Sequence, residues 1–378
     1  MSTESNPFKF GSIVRGDDFI DRDKERSDLK NHIKNHTNII LHAPRRYGKT
    51  SLIYKTLTEL EQEDSGFIGI VVDFYAVHSR QKFQELLANQ IFKKSGWSFE
   101  RVLDWLKQSI RGVQPALTSD DSGAPRLELR FNHQQQDSTF EDVLNLPYKL
   151  SQQGKLVCVV FDEFQEITQL NGQSFQKELR SQIQHHDDVS YIFCGSKQHL
   201  ITELFNQSSA PLYNFGKFWS LGKIPKPDFV AFLSEQIRRV RPGFSDADAE
   251  SLYEMGEGIP FYVQLIGYEY FHLCHSESTL GHMELLEKVH AYLLENRSAE
   301  FLATWDRMNT SQKQALDMVL KTNGAMLFSK NNLGQFNMAA STLKKALSQL
   351  QDNGVLEFSA NHYSFQNIFF RHWLKMMM

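Results

Sequence analysis

An open, mostly parallel α/β sheet, followed by a helical segment and a tail of three helices and a β-hairpin, is what the sequence predicts. Three observations carry that expectation. Short apolar, β-rich runs alternate with helical patterns over roughly the first 225 residues, and helical periodicity alone continues after Pro225. One of the apolar runs also leads straight into a glycine-lysine-threonine loop with a helical pattern behind it.

The strand candidates are Asn38–His42, Ile68–Phe74, Leu156–Asp162 and Tyr191–Gly195, with Phe218–Leu221 a weaker fifth. Each is apolar nearly throughout, as expected where helices cover both faces of a sheet. Between them, Thr50–Glu61, Ser79–Lys94 and Phe140–Gln152 carry apolar residues at helical spacing. Thr118–Ser138 is polar and rich in turn residues, so an exposed loop or hairpin insertion is expected there.

Past Pro225 the pattern predicts a small helical bundle. Pro227-Asp228 opens a helix with Phe229, Phe232, Leu233 and Ile237 on one face, and Ser245 caps the next, which ends near Gly256 and Gly258. Pro260–Cys274 and Met283–Leu294 complete the bundle. The tail reads as helices over Ser311–Lys321, Asn331–Gln335 and Ala339–Gln351, then strands Val355–Ser359 and His362–Gln366. That is the order of a winged-helix module with Ala360-Asn361 at the wing tip. The expected domains are a core over residues 1–225, a helical lid over 226–300 and a winged helix over 301–378.

Composition bounds the function. At 378 residues, 41% hydrophobic and 23% charged, the chain is folded and long enough for two or three domains. Its apolar runs are too short to cross a bilayer and its N-terminus lacks a signal-peptide pattern, so no membrane association and an intracellular, cytoplasmic location are expected. Cys158, Cys194 and Cys274 have apolar surroundings and no CxxC spacing, which fits buried small hydrophobes rather than zinc ligands or disulfides. Residues 301–378 hold 8 Lys/Arg against 4 Asp/Glu, so only the tail has a mild preference for an anionic partner.

The decisive segment is IILHAPRRYGKTSLIYKTL. Binding a triphosphate requires consecutive backbone N–H groups facing inward and a helix N-terminus aimed at the anion. The loop Ala43, Pro44, Arg45, Arg46, Tyr47, Gly48, Lys49, Thr50, Ser51 fits that need. Gly48 permits close backbone approach, Lys49 reaches the β and γ phosphates, and the Thr50 hydroxyl ligates Mg²⁺. Ala43 stands where the GxxxxGK[ST] pattern has its first glycine, which is tolerable if that position does not need positive φ.

The second half of the site is VCVVFDEFQEI. Asp162 is placed to hold Mg²⁺ and Glu163 to orient or deprotonate the attacking water. Because side chains alternate along a strand, only one of the pair is expected to face the metal. The loop strand and the acidic strand are expected to be neighbours in the sheet. Ser196, after the run YIFCG, is either a polar probe of the γ-phosphate or the attacking water, or the cap of the following helix.

With these motifs in hand, the chain resembles the archaeal-type ATPases of the STAND branch of AAA-related P-loop NTPases. FIDRDKERSDL, APRRYGKTSL, FDEFQ, Gly195-Ser196 and GIPFYVQLIG carry the resemblance. It implies the additional-strand, catalytic-glutamate class of P-loop sheet, with Ile68–Phe74 as the strand between the loop strand and the acidic strand. It also implies a helical lid and a C-terminal winged helix, ATP and Mg²⁺ as cofactors, and catalytic roles for Lys49 and Glu163. The chain departs from the family at Gly216-Lys217, where a Gly-Arg pair is common, and GIPFY holds no arginine. Slow hydrolysis, or an arginine from Arg45, Arg46, Arg238 or Arg239, is the expectation.

Three functions follow. The first is an ATP-driven switch. The second is a nucleic-acid-binding regulator using Thr342, Lys344, Lys345, Ser348 and Gln349, with a mainly structural nucleotide site. The third is a ring-forming motor. The partners expected are ATP/ADP, and a protein or DNA at the tail.

Overall fold

The computed structural model describes residues 5–14, 19–20, 22–110, 113–119, 123, 125–131, 136–170, 173–277, 279–359 and 361–378. The chain forms two compact units. An α/β unit comprises Arg22–Ala43 and Lys49–Gly222, and a helical unit comprises Met1–Asp21, Pro44–Gly48 and Lys223–Met378.

In the α/β unit, α1 (Asp23–Lys34) precedes β1 (Ile39–His42) and α2 (Lys49–Glu63). There follow β2 (Phe67–Asp73), α3 (Arg80–Ser95), α4 (Phe99–Ser109), β3 (Val113–Ser119), β4 (Pro125–Phe131), α5 (Gln136–Leu144) and α6 (Leu146–Ser151). The unit closes with β5 (Leu156–Asp162), α7 (Gln173–Ile183), β6 (Val189–Gly195), α8 (Gln198–Asn206) and β7 (Lys217–Ser220). Five strands form a parallel sheet in the order β2-β5-β6-β1-β7.

This order corrects two expectations. The strand between β1 and β5 is β6, whereas the run expected there, Ile68–Phe74, forms β2 at the edge beside β5, with Asp73 in register with Asp162. The loop strand and the acidic strand are therefore not neighbours. Apolar content could not reveal this, because edge strand β2 is almost as buried along its length as central β6.

The core of this unit is aromatic. Phe74, Phe83, Phe140, Phe161, Phe164, Phe175, Phe193 and Phe205 are all buried, and their rings meet mainly edge-on or tilted, the geometry that ring quadrupoles favour, with Phe161 and Phe164 stacked. Ser79 caps α3 by accepting from the Lys82 amide. The helix expected over Phe140–Gln152 is two, α5 and α6, parted at Asn145 with a proline in the first turn of α6.

The expected insertion is in part a hairpin, β3 paired with β4, and residues 120–122, 124 and 132–135 of it lie outside the described ones. Its inner face is not exposed. Leu127 and Leu129 are buried, and the Asn89 amide bonds both the N–H and the carbonyl of Leu127, at 2.8 and 2.7 Å.

The helical unit runs α9 (Lys226–Arg238), α10 (Asp246–Met255), α11 (Pro260–Ser276), α12 (His282–Glu295) and α13 (Ser298–Asp306). It continues through α14 (Thr310–Thr322), α15 (Lys330–Gln335), α16 (Ala340–Asp352), the antiparallel pair β8 (Leu356–Ser359) and β9 (His362–Phe365), and α17 (Ile368–Met377). A single hydrophobic cluster extends from Phe229 of α9 to Leu374 of α17. Ser245 makes a full capping box with Asp248, and α15, α16, β8 and β9 follow in the expected order. Of the expected wing tip, Asn361 sits at φ 60° and Ala360 lies outside the described residues. Phe8, from the N-terminal segment, fills the space a side chain at Gly267 would need. No helix among the described residues is long and apolar enough to cross a membrane.

Phe175 tests the aromatic core away from the acidic strand end, since its ring centroid lies 5.5 Å from Phe83 and 5.2 Å from Phe140. Phe175→Ala should cost about 3–5 kcal/mol in chemical denaturation. A loss below about 1 kcal/mol would mean that the cluster collapses to refill the space.

Candidate active site

The buried strand β1 delivers the chain to Ala43, whose N–H donates to the Gly195 carbonyl at 3.3 Å. Ala43 is not among the residues with positive φ, so the missing first glycine leaves the backbone unstrained. Gly48 does need to be glycine. Its φ of +81° is a left-handed conformation that costs an L side chain about 1–2 kcal/mol. Helix α2 starts at Lys49 with no acidic residue in its first turn, which includes Thr50 and Ser51, so nothing there competes for an anion at its N-terminus.

The loop residues Pro44–Gly48 belong to the helical unit. Tyr47 packs against its core, and burial pushes the phenol up to about 12. Arg46, at φ 73°, is held at both ends. Its carbonyl accepts from the Phe261 N–H at 3.2 Å, while its guanidinium donates to the Tyr262 hydroxyl and, at 2.9 Å, to the Gln366 carbonyl. The guanidinium also lies 5.2 and 5.0 Å from the ring centroids of Phe261 and Tyr262.

The α/β unit gathers the other functional candidates. Lys49 is buried, with its Nζ 2.8 Å from Asp162 Oδ1 and 3.1 Å from Glu163 Oε1. Thr50 Oγ1 donates to Asp162 Oδ2 at 3.0 Å. Glu163 Oε2 accepts from Ser196 Oγ at 2.8 Å and from Gln165 Nε2 at 2.5 Å. Lys49, Thr50, Asp162, Glu163 and Ser196 thus form one hydrogen-bonded cluster.

One detail differs from expectation, and one open alternative is narrowed. Both carboxylates reach Lys49, because Glu163 has left the strand. It sits at φ 47°, ψ 42°, a left-handed turn into a 3₁₀ segment, Phe164–Gln169, so strand alternation no longer applies to it. That conformation costs a non-glycine residue on the order of 1–3 kcal/mol, the kind of local strain found at functional sites. Ser196 is also not the cap of α8, whose N-cap is Lys197, and its hydroxyl goes to Glu163 instead.

Sequence reasoning missed Gln165 and Asp73. FDEFQ displayed Gln165, but nothing in the pattern says that a 3₁₀ turn folds it back onto Glu163. Asp73 was the polar end of an apolar run, yet its place beside Asp162 depends on strand order. Burial pushes its carboxyl up, and the nearby Asp162 and Glu163 charges add to the rise.

Burial alone would discharge both partners of the central ion pair, and proximity reverses this. For Lys49, the Asp162 and Glu163 charges outweigh desolvation and raise the ammonium. For Glu163, the Lys49 charge with the Gln165 and Ser196 hydrogen bonds outweighs desolvation and lowers the carboxyl. Both groups are held ionised. Burial first, and then the Lys49 charge, depress His42 to about 4, so that imidazole is neutral.

The model of an ATPase domain predominantly from Archaea matches residues 19–266, which include the loop, the acidic strand end and Ser196. The chain belongs to this archaeal ATPase family. It is an ATPase of the P-loop type, and the family carries ATP binding with it. Among solved structures, the ATPase is similar to the Walker-type ATPase PABY2304 of Pyrococcus abyssi, at TM-score 0.66 and 17% identity over 98% of this chain and 99% of that one. It is also similar to the ADP form of the Aeropyrum pernix ORC2 protein, at TM-score 0.53 and 11% identity over 93% and 92% of the two chains. The ADPNP-ADP complexes of that protein match at TM-score 0.50 and 11% identity, over 99% of this chain and 98% of that one. At these identities the likeness is one of fold. No curated protein matches the sequence.

Among the arginines raised as candidates for the reaction, Arg46 is engaged as described. Arg238 bonds the Phe244 carbonyl at 2.9 Å and Asp246 at 2.8 Å, and Arg239 pairs with Glu235 at 2.8 Å. Lys217, where an arginine is common in the family, has its Nζ 3.3 Å from His32 Nε2.

His42 gives the ATPase a pH signature. A histidine depressed from 6.5 to about 4 contributes stability that is fully present above pH 6.5 and is lost as pH falls toward 4, because the unfolded chain takes up the proton first. Denaturant titrations at pH 7 and pH 5 should show a smaller loss for His42→Asn than for the wild type. An equal loss in both proteins would place the titration elsewhere.

Proposed function

We propose that this ATPase is a nucleotide-driven switch that hydrolyses ATP slowly to ADP and phosphate and signals through its helical unit. The observation that carries the switch is Arg46, a residue of the phosphate-loop sequence whose backbone and side chain are both bound to α11 and to the segment after β9. Any rearrangement of the loop around a triphosphate must loosen or tighten that grip. The loop's nucleotide state and the tail's conformation are then coupled through a few charge-assisted hydrogen bonds, each contributing about 1.5–3 kcal/mol.

In the hydrolysis reading, the loop from Ala43 to Ser51 binds the phosphates and Lys49 supports the β and γ groups. Glu163 takes a proton from the water whose oxygen attacks the γ-phosphorus, while the bond to the ADP oxygen breaks. Ser196 fixes the Glu163 carboxylate. Thr50 and Asp162 fit Mg²⁺, since a hydroxyl and a carboxylate oxygen already meet at 3.0 Å, and both are hard donors. The ion, when bound, would supply charge neutralisation at the β and γ oxygens. Slow turnover is supported by Lys217 at a position where arginine is common, and by the structural engagements of Arg46, Arg238 and Arg239. ORC2 from Aeropyrum pernix, solved with ADPNP and ADP, lends support to nucleotide binding by a chain of this fold.

A nucleic-acid reading of the tail has one observation in its favour. Helix α16 buries Leu343, Ala346, Leu347 and Leu350 and leaves Thr342, Lys344, Lys345 and Ser348 exposed. Duplex DNA binding that weakens steeply with salt, in the absence of nucleotide, would favour a regulator over a switch. A nucleotide-dependent hexamer would favour a motor.

Lys49→Ala should abolish ATP binding in calorimetry, and unchanged affinity would refute the loop assignment. Glu163→Gln should bind ATP normally and lose about 10²–10⁴-fold in turnover. EDTA should stop turnover by the wild type, and Thr50→Val should raise the Mg²⁺ concentration needed for half-maximal rate. For the switch, amide exchange in α11 and β9 should respond to ATP in the wild type and not in Arg46→Ala. A response of equal size in both proteins would remove Arg46 as the link.

A further inference from the structure

We infer that Gln165 is a positioning residue for Glu163, holding the carboxylate of the proposed base in its reactive orientation, with Gly195 making the room it needs. The inference rests on the reading of Glu163 as base. Gln165 is fully buried and its Nε2 donates to Glu163 Oε2 at 2.5 Å. The same oxygen takes the Ser196 hydroxyl at 2.8 Å, while Oε1 takes Lys49 at 3.1 Å. One carboxylate oxygen therefore carries two donors from two different elements, which fixes both the rotation and the tilt of the group.

The far end of the Gln165 amide marks this arrangement as more than packing. Its Oε1 is buried and, among the described residues, has no hydrogen-bond partner. Turning the amide over would aim that oxygen at the Glu163 carboxylate, so only the present orientation is compatible with an ionised base. Burying half an amide unpaired is unfavourable, and an apolar side chain of the same size would avoid it. What the apolar side chain could not do is donate to Glu163.

The surroundings are shaped to the same end. Glu163 leaves β5 in a left-handed turn, and the 3₁₀ segment behind it returns Gln165 to the Glu163 side chain within two residues. A Cβ at Gly195, the last residue of β6, would lie 2.5 Å from Gln165 Oε1 and overlap Ile201. The glycine before Ser196 thus leaves room for the Gln165 amide beside the oxygen that also takes the Ser196 hydroxyl.

The test uses the full chain with ATP and Mg²⁺, measuring ATP affinity by calorimetry and hydrolysis under single turnover. Gln165→Met, which keeps the size and removes the donor, should leave affinity within about twofold and lower the hydrolysis rate at least 10-fold, with a melting temperature no lower than the wild type's. If that variant melts early, Gln165→Leu, which also removes the donor without adding a charge, is read by the same split. The double variant Gln165→Met with Glu163→Gln should be no slower than Glu163→Gln alone, because a positioning residue has nothing left to position. An unchanged rate in Gln165→Met, a loss confined to affinity, or a further fall in the double variant would each overturn the inference. If Glu163→Gln itself hydrolyses ATP at the wild-type rate, it is the assignment of the base that fails.

Discussion

The arrangement of the α/β unit depends on one buried ammonium between two carboxylates. Lys49 starts a helix, while Asp162 ends a strand two positions from β1 in the sheet and Glu163 follows it, and ion-pair geometry brings all three together. Such a cluster is stable only while complete. Removing one member of a buried pair commonly costs about 3–5 kcal/mol, because a charge is left without compensation in a poorly polarisable interior. In the proposed nucleotide site, a phosphate group that recruited the lysine would compete for it with the two carboxylates. The Thr50 and Ser196 hydroxyls each donate to one of the two carboxylates.

The carboxylates are also distinguished by their backbones. Asp162 ends a regular strand and has its Oδ1 tied to the following amide at 2.9 Å, whereas Glu163 occupies a strained left-handed position. Adjacent residues of similar chemistry are thereby given different neighbours, Thr50 for one and Ser196 with Gln165 for the other. Strand geometry alone could not have done this.

Much of this was legible in the sequence, because its signals are local. The loop motif, the acidic pair after a β-rich run, the proline that opens α9 and the capping serine at Ser245 each act over a few residues, and strand β5 spans the predicted residues. What escaped was set by tertiary pairing. Lateral strand order placed β6, not β2, beside β1, and a turn of 3₁₀ helix brought in Gln165. The partner of Arg46 lies more than 200 residues away. Helices α1 and α7 also went unread. Each buries only a few positions among many polar ones, Leu29 and Ile33 in α1 and Phe175, Gln176, Leu179 and Ile183 in α7.

The path of the chain has a consequence for how such a protein can be divided. Because Met1–Asp21 and Pro44–Gly48 belong with Lys223–Met378, the polypeptide passes from one compact unit to the other four times. Cutting at the last of these passages would leave Phe8 and Tyr47 on one fragment and the core they fill on the other. The second piece would not be a self-sufficient cassette. The helical unit is therefore not one continuous stretch that recombination could exchange intact, since five loop residues, Pro44–Gly48, belong to it from between two pieces of the other unit.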